Sequence, residues 1–191
     1  MEELIQKIKE YVITKSNQYR ETSQDHYDFW NEHIKYVYFE AVELAKIYNA
    51  NIEIVSLGAL LHDIALIEQV GDRKDHHING KILSDKILGD FGCPLEIKEH
   101  VLGCVYNHRS SKNATNIEEL CVCDADILAH FDNIPMLFNS AFNRNNISLN
   151  EVRNWLMSVF EKDYDDLSEK TKKIFKDRYD LIKDIVINKN I

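Results

Sequence analysis

The sequence predicts an all-α protein, a single-domain helical bundle, and three observations lead there. Only two prolines (Pro94, Pro135) and six glycines interrupt 191 residues, so helices can run long before meeting a breaker. Apolar residues recur at three- and four-residue spacing from the first turn onward. Few runs alternate with period two, the signature of a half-buried strand. The length suits one domain large enough to bury a core, and 45% apolar with 29% charged residues is a globular composition. The domain is expected to span residues 1–191 without repeats, low-complexity tracts or a linker.

Each element has its own warrant. Leu4, Ile5, Ile8 and Val12 mark an amphipathic helix over about 2–19, and the polar stretch Glu21–Asp28 reads as a loop. A second helix follows from about Asn31 to Tyr48, with Ile34, Val37, Ala41, Leu44 and Ala45 on its inner face. After a turn at Asn49–Asn51, the segment Ile52–Ile67 is apolar almost throughout and is expected to be one continuous central helix. Its small residues Ser56, Gly58 and Ala59 would let neighbours approach closely. Beyond the charged loop Gly71–Asp75, helices are expected at about 76–89, 95–108, 116–130, 134–143, 149–162 and 168–188. Gly89 and Gly92 stop one and Pro94 opens the next. Ser148 with Glu151 forms a capping-box pattern, and Ser168 with Thr171 marks another helix start.

Acids outnumber bases 32 to 23, giving a net charge of −9 without a long Lys/Arg run, which argues against nucleic acid as a partner. A small phosphorylated metabolite stays compatible, because a bound cation supplies local positive charge that net charge does not show. No stretch approaches the roughly 18 uninterrupted apolar residues of a membrane span. The opening MEELIQKIKE lacks the order of a secretion signal, so a cytoplasmic protein is expected. Cys93, Cys104, Cys121 and Cys123 contain no Cys-x-x-Cys pair and are expected to be reduced thiols.

The chemistry concentrates in three places. His62 and Asp63 stand side by side within the most apolar segment, where an ionised carboxylate costs on the order of several kcal/mol unless paired. A divalent cation satisfies both side chains at once; a hydrogen-bonded pair in a dry core is the competing explanation. His33 begins the second helix on the face of Val37 and Ala41. Asp124 and Asp126 lie in another apolar helix and again need partners. Packing three helices around one point would bring two nitrogens and two oxygens together, leaving positions for water and substrate.

The ordered set, His33, then His62-Asp63, then Asp126, resembles the HD-domain superfamily of metal-dependent phosphohydrolases over about residues 26–132. His-His-Ile-Asn-Gly (76–80), Asn-His-Arg (107–109) and Asp-Ala-Asp (124–126) bring it close to the small bacterial and archaeal HD hydrolases. The resemblance implies the HD fold, with His33, His62, Asp63 and Asp126 as ligands of a divalent metal drawn from Mn, Fe, Co, Ni, Mg or Zn. Some members hold two metals by adding two histidines. His76 and His108 are the candidates here, with Asp63 as the bridge; loop exposure and a helix C-terminus explain the same two residues without metal.

The expected reaction is hydrolysis of a phosphate ester or anhydride by metal-activated water, with Asp63, His62, His76 and His108 in catalytic roles. Arg109, Lys74 and Arg73 are candidates for binding phosphate oxygens, although surface loop charges account for them as well. The favoured substrate is a nucleotide. His130, four residues after Asp126, is expected to support the ligands and not to join them; His26 is placed at the mouth of the site and His100 in solvent. Glu68 stays open between a general acid or base and a solvated side chain. The last region, 133–191, is expected to cap the bundle and shape substrate choice or a homodimer surface. Two rival classes remain: a non-catalytic metal- or nucleotide-binding HD module with a regulatory role, and a helical interaction protein in which His62 and Asp63 pair without metal.

Overall fold

The computed structural model describes residues 1–145 and 148–187, and its regular elements are helices. Asn188, the last residue of the final helix expected from sequence, lies outside the described residues. Helix α1 spans Glu2–Thr22, somewhat longer than its apolar pattern. Glu2 and Glu3 in its first turn and Arg20 in its last complement the helix dipole, and it buries Ile8 and Val12. After a loop, a π-helical turn Trp30–Ile34 carries His33 and runs directly into α2, Lys35–Tyr48. Asn49 ends α2 in the left-handed conformation that asparagine tolerates, φ 58°. Asn51 then caps α3, Ile52–Leu61, by accepting the amides of Glu53 and Ile54.

The structure departs from the sequence expectation at the centre of the molecule. The apolar run does not continue as one helix to Ile67: α3 stops at Leu61, and α4, Ile64–Ile67, starts afresh. The break falls on His62 and Asp63, where Asp63 leaves helical geometry at φ −106°, ψ 17°. Ile64, Ala65 and Ile67 stay buried on both accounts, so hydrophobic patterning could not report the interruption.

A 3₁₀ turn Arg73–Asp75 leads into α5, His76–Asp90, and α6, Leu95–Asn107, ends at His108. Helix α7, Ile117–Asp132, is capped by Asn116 and packs against α2, α3 and α6. Next come α8, Ile134–Asn145, then α9, Leu149–Asp166, whose Ser148–Glu151 capping box forms as expected, and α10, Glu169–Ile187. Every residue of α3 from Ile54 to Leu61 is buried. The close approach expected at its small residues is real: a Cβ added to Gly58 would lie 2.7 Å from Cys104 Cβ. All four cysteines are free. Helices α9 and α10 cover α7 through Phe131, whose ring centroid lies 4.8 Å from that of Phe160 and 4.9 Å from that of Phe175. Among the described residues no helix is long and apolar enough to cross a membrane.

Candidate metal centre

The six residues flagged by sequence for one or two metals converge. His33 arrives from the π-helical turn, His62 and Asp63 from the α3–α4 break, Asp126 from α7, His76 from the start of α5 and His108 from the end of α6. His33 Nε2 lies 3.1 Å from His62 Nε2, 3.0 Å from Asp126 Oδ1 and 3.7 Å from Asp63 Oδ2. On the other side, His76 Nε2 lies 2.9 Å from His108 Nε2 and 3.3 Å from Asp63 Oδ1. Asp63 thus turns one oxygen to each group of imidazoles. The break between α3 and α4 is what frees its carboxylate from a helical trajectory to do so.

The hydrogen bonds on the far side of the rings decide what these nitrogens offer. His62 Nδ1 donates to the Ala59 carbonyl at 2.8 Å, His76 Nδ1 to Arg73 at 2.7 Å and His108 Nδ1 to Val105 at 2.7 Å. A carbonyl only accepts, so Nδ1 holds the proton and a neutral ring presents a bare lone pair at Nε2. His76 and His108 then face each other at 2.9 Å with lone pairs on both sides, and His62 faces two carboxylates in the same way. Such contacts repel unless a cation lies among them. Ligand atoms each about 2.1 Å from one ion stand about 3 to 3.5 Å apart, which matches these separations. The donor set fits a divalent metal.

Electrostatics agree. Burial works against the charge on Asp63, but His62, His33 and His108 outweigh it and hold the carboxyl below its ordinary range. Burial opposes Asp126 too, and the hydrogen bond from His33 with the neighbouring imidazoles carries its carboxyl below its ordinary range. His108 is pushed down to about 4, first by burial and then by His62, so its ring stays neutral and available as a ligand.

Three metal-sized groupings occur among the described residues: His33–His62–Asp63, Asp63–His76–His108 and His33–Asp126–His130. His130 stacks on His33 with ring centroids 6.0 Å apart, and its Nδ1 donates to Asp163 Oδ2 at 2.8 Å. Asp163, on α9, escaped the sequence reading, because a run of acids on an amphipathic helix gives no sign of which one turns inward. His77 turns instead toward Tyr106, at 5.5 Å between ring centroids.

A cavity of about 430 Å³ opens over the cluster, and Arg73 and Arg109 line it. Lys74 does not. Its ammonium lies near Asp72, and what it contributes is a backbone carbonyl that accepts from Arg109 Nη1 at 2.9 Å. Its long side chain sits on the outer face of the 3₁₀ turn, which the loop sequence alone did not reveal. His26 is exposed and bonded to the Arg20 carbonyl, away from the lining, and His100 is exposed. Glu68 is engaged by Tyr11 and Lys15 outside the cavity.

The HD-domain family model matches residues 31–130, just over half of the chain. The chain belongs to the HD-domain family. Solved structures extend the likeness to the whole HD fold. A predicted HD superfamily hydrolase from an uncultured Thermotogales bacterium superimposes with a TM-score of 0.65 at 18% identity, covering 94% of this chain and 89% of its own. An HD-superfamily hydrolase from Bacillus thuringiensis gives 0.65 at 20% identity over 96% and 95%. A protein from Listeria innocua gives the same score and identity over 98% and 93%. No curated protein matches this HD chain significantly.

Proposed function

We propose that this HD protein is a metal-dependent phosphohydrolase that cleaves a phosphate ester or anhydride of a small metabolite, a nucleotide being the favoured class. One observation carries the proposal. Asp63 presents Oδ2 to His33 and His62 and Oδ1 to His76, so a single buried carboxylate faces two groups of imidazoles, in which His62 and His76 offer unprotonated Nε2 atoms. Two solved proteins of the same fold are described as HD superfamily hydrolases, which supports the class of reaction.

His33, His62, Asp63 and Asp126 would hold one ion, and Asp63, His76 and His108 a second. The mixed nitrogen and oxygen donors suit Mn, Fe, Co, Ni or Zn better than Mg. When bound, the ions supply the Lewis acidity that makes water nucleophilic at neutral pH and neutralise charge on a phosphoryl oxygen. The protein does the rest. Carbonyl acceptors lock His62, His76 and His108 in one tautomer and orientation. The bond from Arg109 Nη1 to the Lys74 carbonyl steadies that guanidinium beside the cavity, and its remaining N–H groups, with those of Arg73 on the same lining, would take phosphate oxygens. Asp163 fixes His130 so that Nε2 is the polar atom left to the cavity.

The test is a metal analysis of freshly purified protein followed by a panel of phosphomonoesters, nucleoside di- and triphosphates and cyclic dinucleotides with Mn, Co, Ni or Mg. Asp63→Ala is expected to lose bound metal and more than about 100-fold in turnover, beyond the cost of losing a residue that merely supports a ligand. Undiminished turnover in that variant, or metal-loaded wild type that cleaves nothing in the panel, would overturn the proposal.

A further inference from the structure

The cavity is larger and more apolar than a phosphoryl group requires. Ligand sites of roughly 300–1,000 Å³ enclose whole metabolites, and the 430 Å³ here falls in that range. Beyond the metal residues and the two arginines, the lining includes Tyr27 and Phe29 from the loop after α1, and Met136, Leu137, Trp155 and Val159 from α8 and α9. Trp155 keeps 37% of its surface exposed although it is one of the largest apolar side chains in the molecule. Among the described residues that α8 and α9 add to the lining, the polar groups are the Ser140 hydroxyl, which lies 3.6 Å from Met136 Sδ, and the indole N–H of Trp155. This wall offers flat apolar surface with little means of reading hydrogen-bonding edges, continuous with a floor that takes phosphate.

We propose that α8 and α9, with Trp155 as the platform, form the subsite for the aromatic base of a nucleotide substrate, selecting for the presence of a base over its identity. The inference rests on the phosphohydrolase reading above and deepens it. The phosphate would meet Arg73, Arg109 and the metal ligands, while the base lies against Trp155 and Met136. Every nucleobase has a π-face, so stacking is tolerant of sequence identity, whereas a compound without a base gains nothing from the wall.

The experiment uses metal-loaded full-length protein. The chain has two tryptophans, Trp30 and Trp155, so Trp30→Phe leaves Trp155 as the sole indole reporter. AMP and CMP are expected to quench its fluorescence saturably, and ribose 5-phosphate to leave it unchanged. In Trp155→Ala, KM for AMP and CMP should rise about tenfold or more relative to KM for ribose 5-phosphate, with Trp155→Phe restoring most of the difference. Equal binding of ribose 5-phosphate and the nucleotides, an unaltered KM ratio in Trp155→Ala, or a preference between AMP and CMP above about 100-fold would each overturn the inference. Saturable quenching without cleavage of any phosphate would uphold the base subsite and sink the hydrolase, so the two failures are distinguishable.

Discussion

Asp124 and Asp126 are two residues apart on α7, both drawn out of bulk water, and they solve the same electrostatic problem in opposite ways. Asp124 turns toward the start of α10. Its Oδ1 accepts the Ser168 amide at 3.0 Å, and its Oδ2 accepts the Ser168 hydroxyl at 2.5 Å and the Thr171 hydroxyl at 2.6 Å. Each partner brings a proton, so the chain itself satisfies the carboxylate, and the result is a tie between the HD core and its last helix. Asp126 turns to the other side, toward His33 and His62. His62 has already spent its proton on the Ala59 carbonyl, so the protein leaves the arrangement incomplete. A buried acid whose neighbours all donate is structural; an acid that faces a bare imidazole nitrogen, as Asp126 faces His62, calls for a cation from outside. Buried carboxylates are therefore told apart by the protons of their neighbours and not by their depth.

That contrast can be broken most forcefully at Asp126. Asp126→Ala is expected to lose tight metal binding and more than about 100-fold in activity while the helical circular dichroism spectrum survives, because the fold does not depend on the missing contact. Metal analysis on the purified variant gives the answer, and full metal occupancy would erase the distinction. Asp124→Ala should do the reverse. It removes the carboxylate acceptor of the Ser168 amide and of two hydroxyls, which keep Tyr48 and each other, costing about 2–4 kcal/mol in denaturant unfolding, while metal content per folded molecule stays at the wild-type level.

The smallest effect is a difference in acid dependence. Burial raises the folded pKa of Asp124, so the stability it contributes is present below the ordinary carboxylate value and lost as pH rises through the raised one. Asp126 is depressed despite burial, chiefly by the His33 hydrogen bond; its contribution is present above the ordinary value and lost as pH falls through the folded one. In EDTA-treated protein, Asp124→Asn should gain on wild type in Tm as pH rises above about 4. The deficit of Asp126→Asn should shrink on acidification. Parallel Tm curves for the two variants would contradict the opposed signs.

Much of the site was legible because its chemistry is local in type even where it is distant in sequence. Ionisable residues set into apolar helices demand partners wherever the chain goes, which marked His62, Asp63, Asp124 and Asp126, while the HD resemblance added His33 and chose Asp126. The capping residue Ser148, the turn at Asn49–Asn51 and the breakers around Gly92 and Pro94 fixed the helix ends for the same local reason. The division of labour between Asp124 and Asp126 was not legible, since both satisfy the same pattern and only the packing of α10 supplies hydroxyls to one of them. Nor was the interruption at His62–Asp63, because burial of both α3 and α4 hides a change of direction from any periodicity.

By itself, then, the sequence determined the helical class, the HD resemblance and the residue types that must be brought together. Tertiary structure decided which oxygen of Asp63 faces which imidazoles, that Arg109 lines the cavity while Lys74 lends only a carbonyl, and that Trp155 and Asp163 from the C-terminal helices reach the site. The reason is physical. Propensity and hydrophobic period act over a few residues, whereas the direction of a side chain and the protons it meets depend on helices that arrive from elsewhere in the chain.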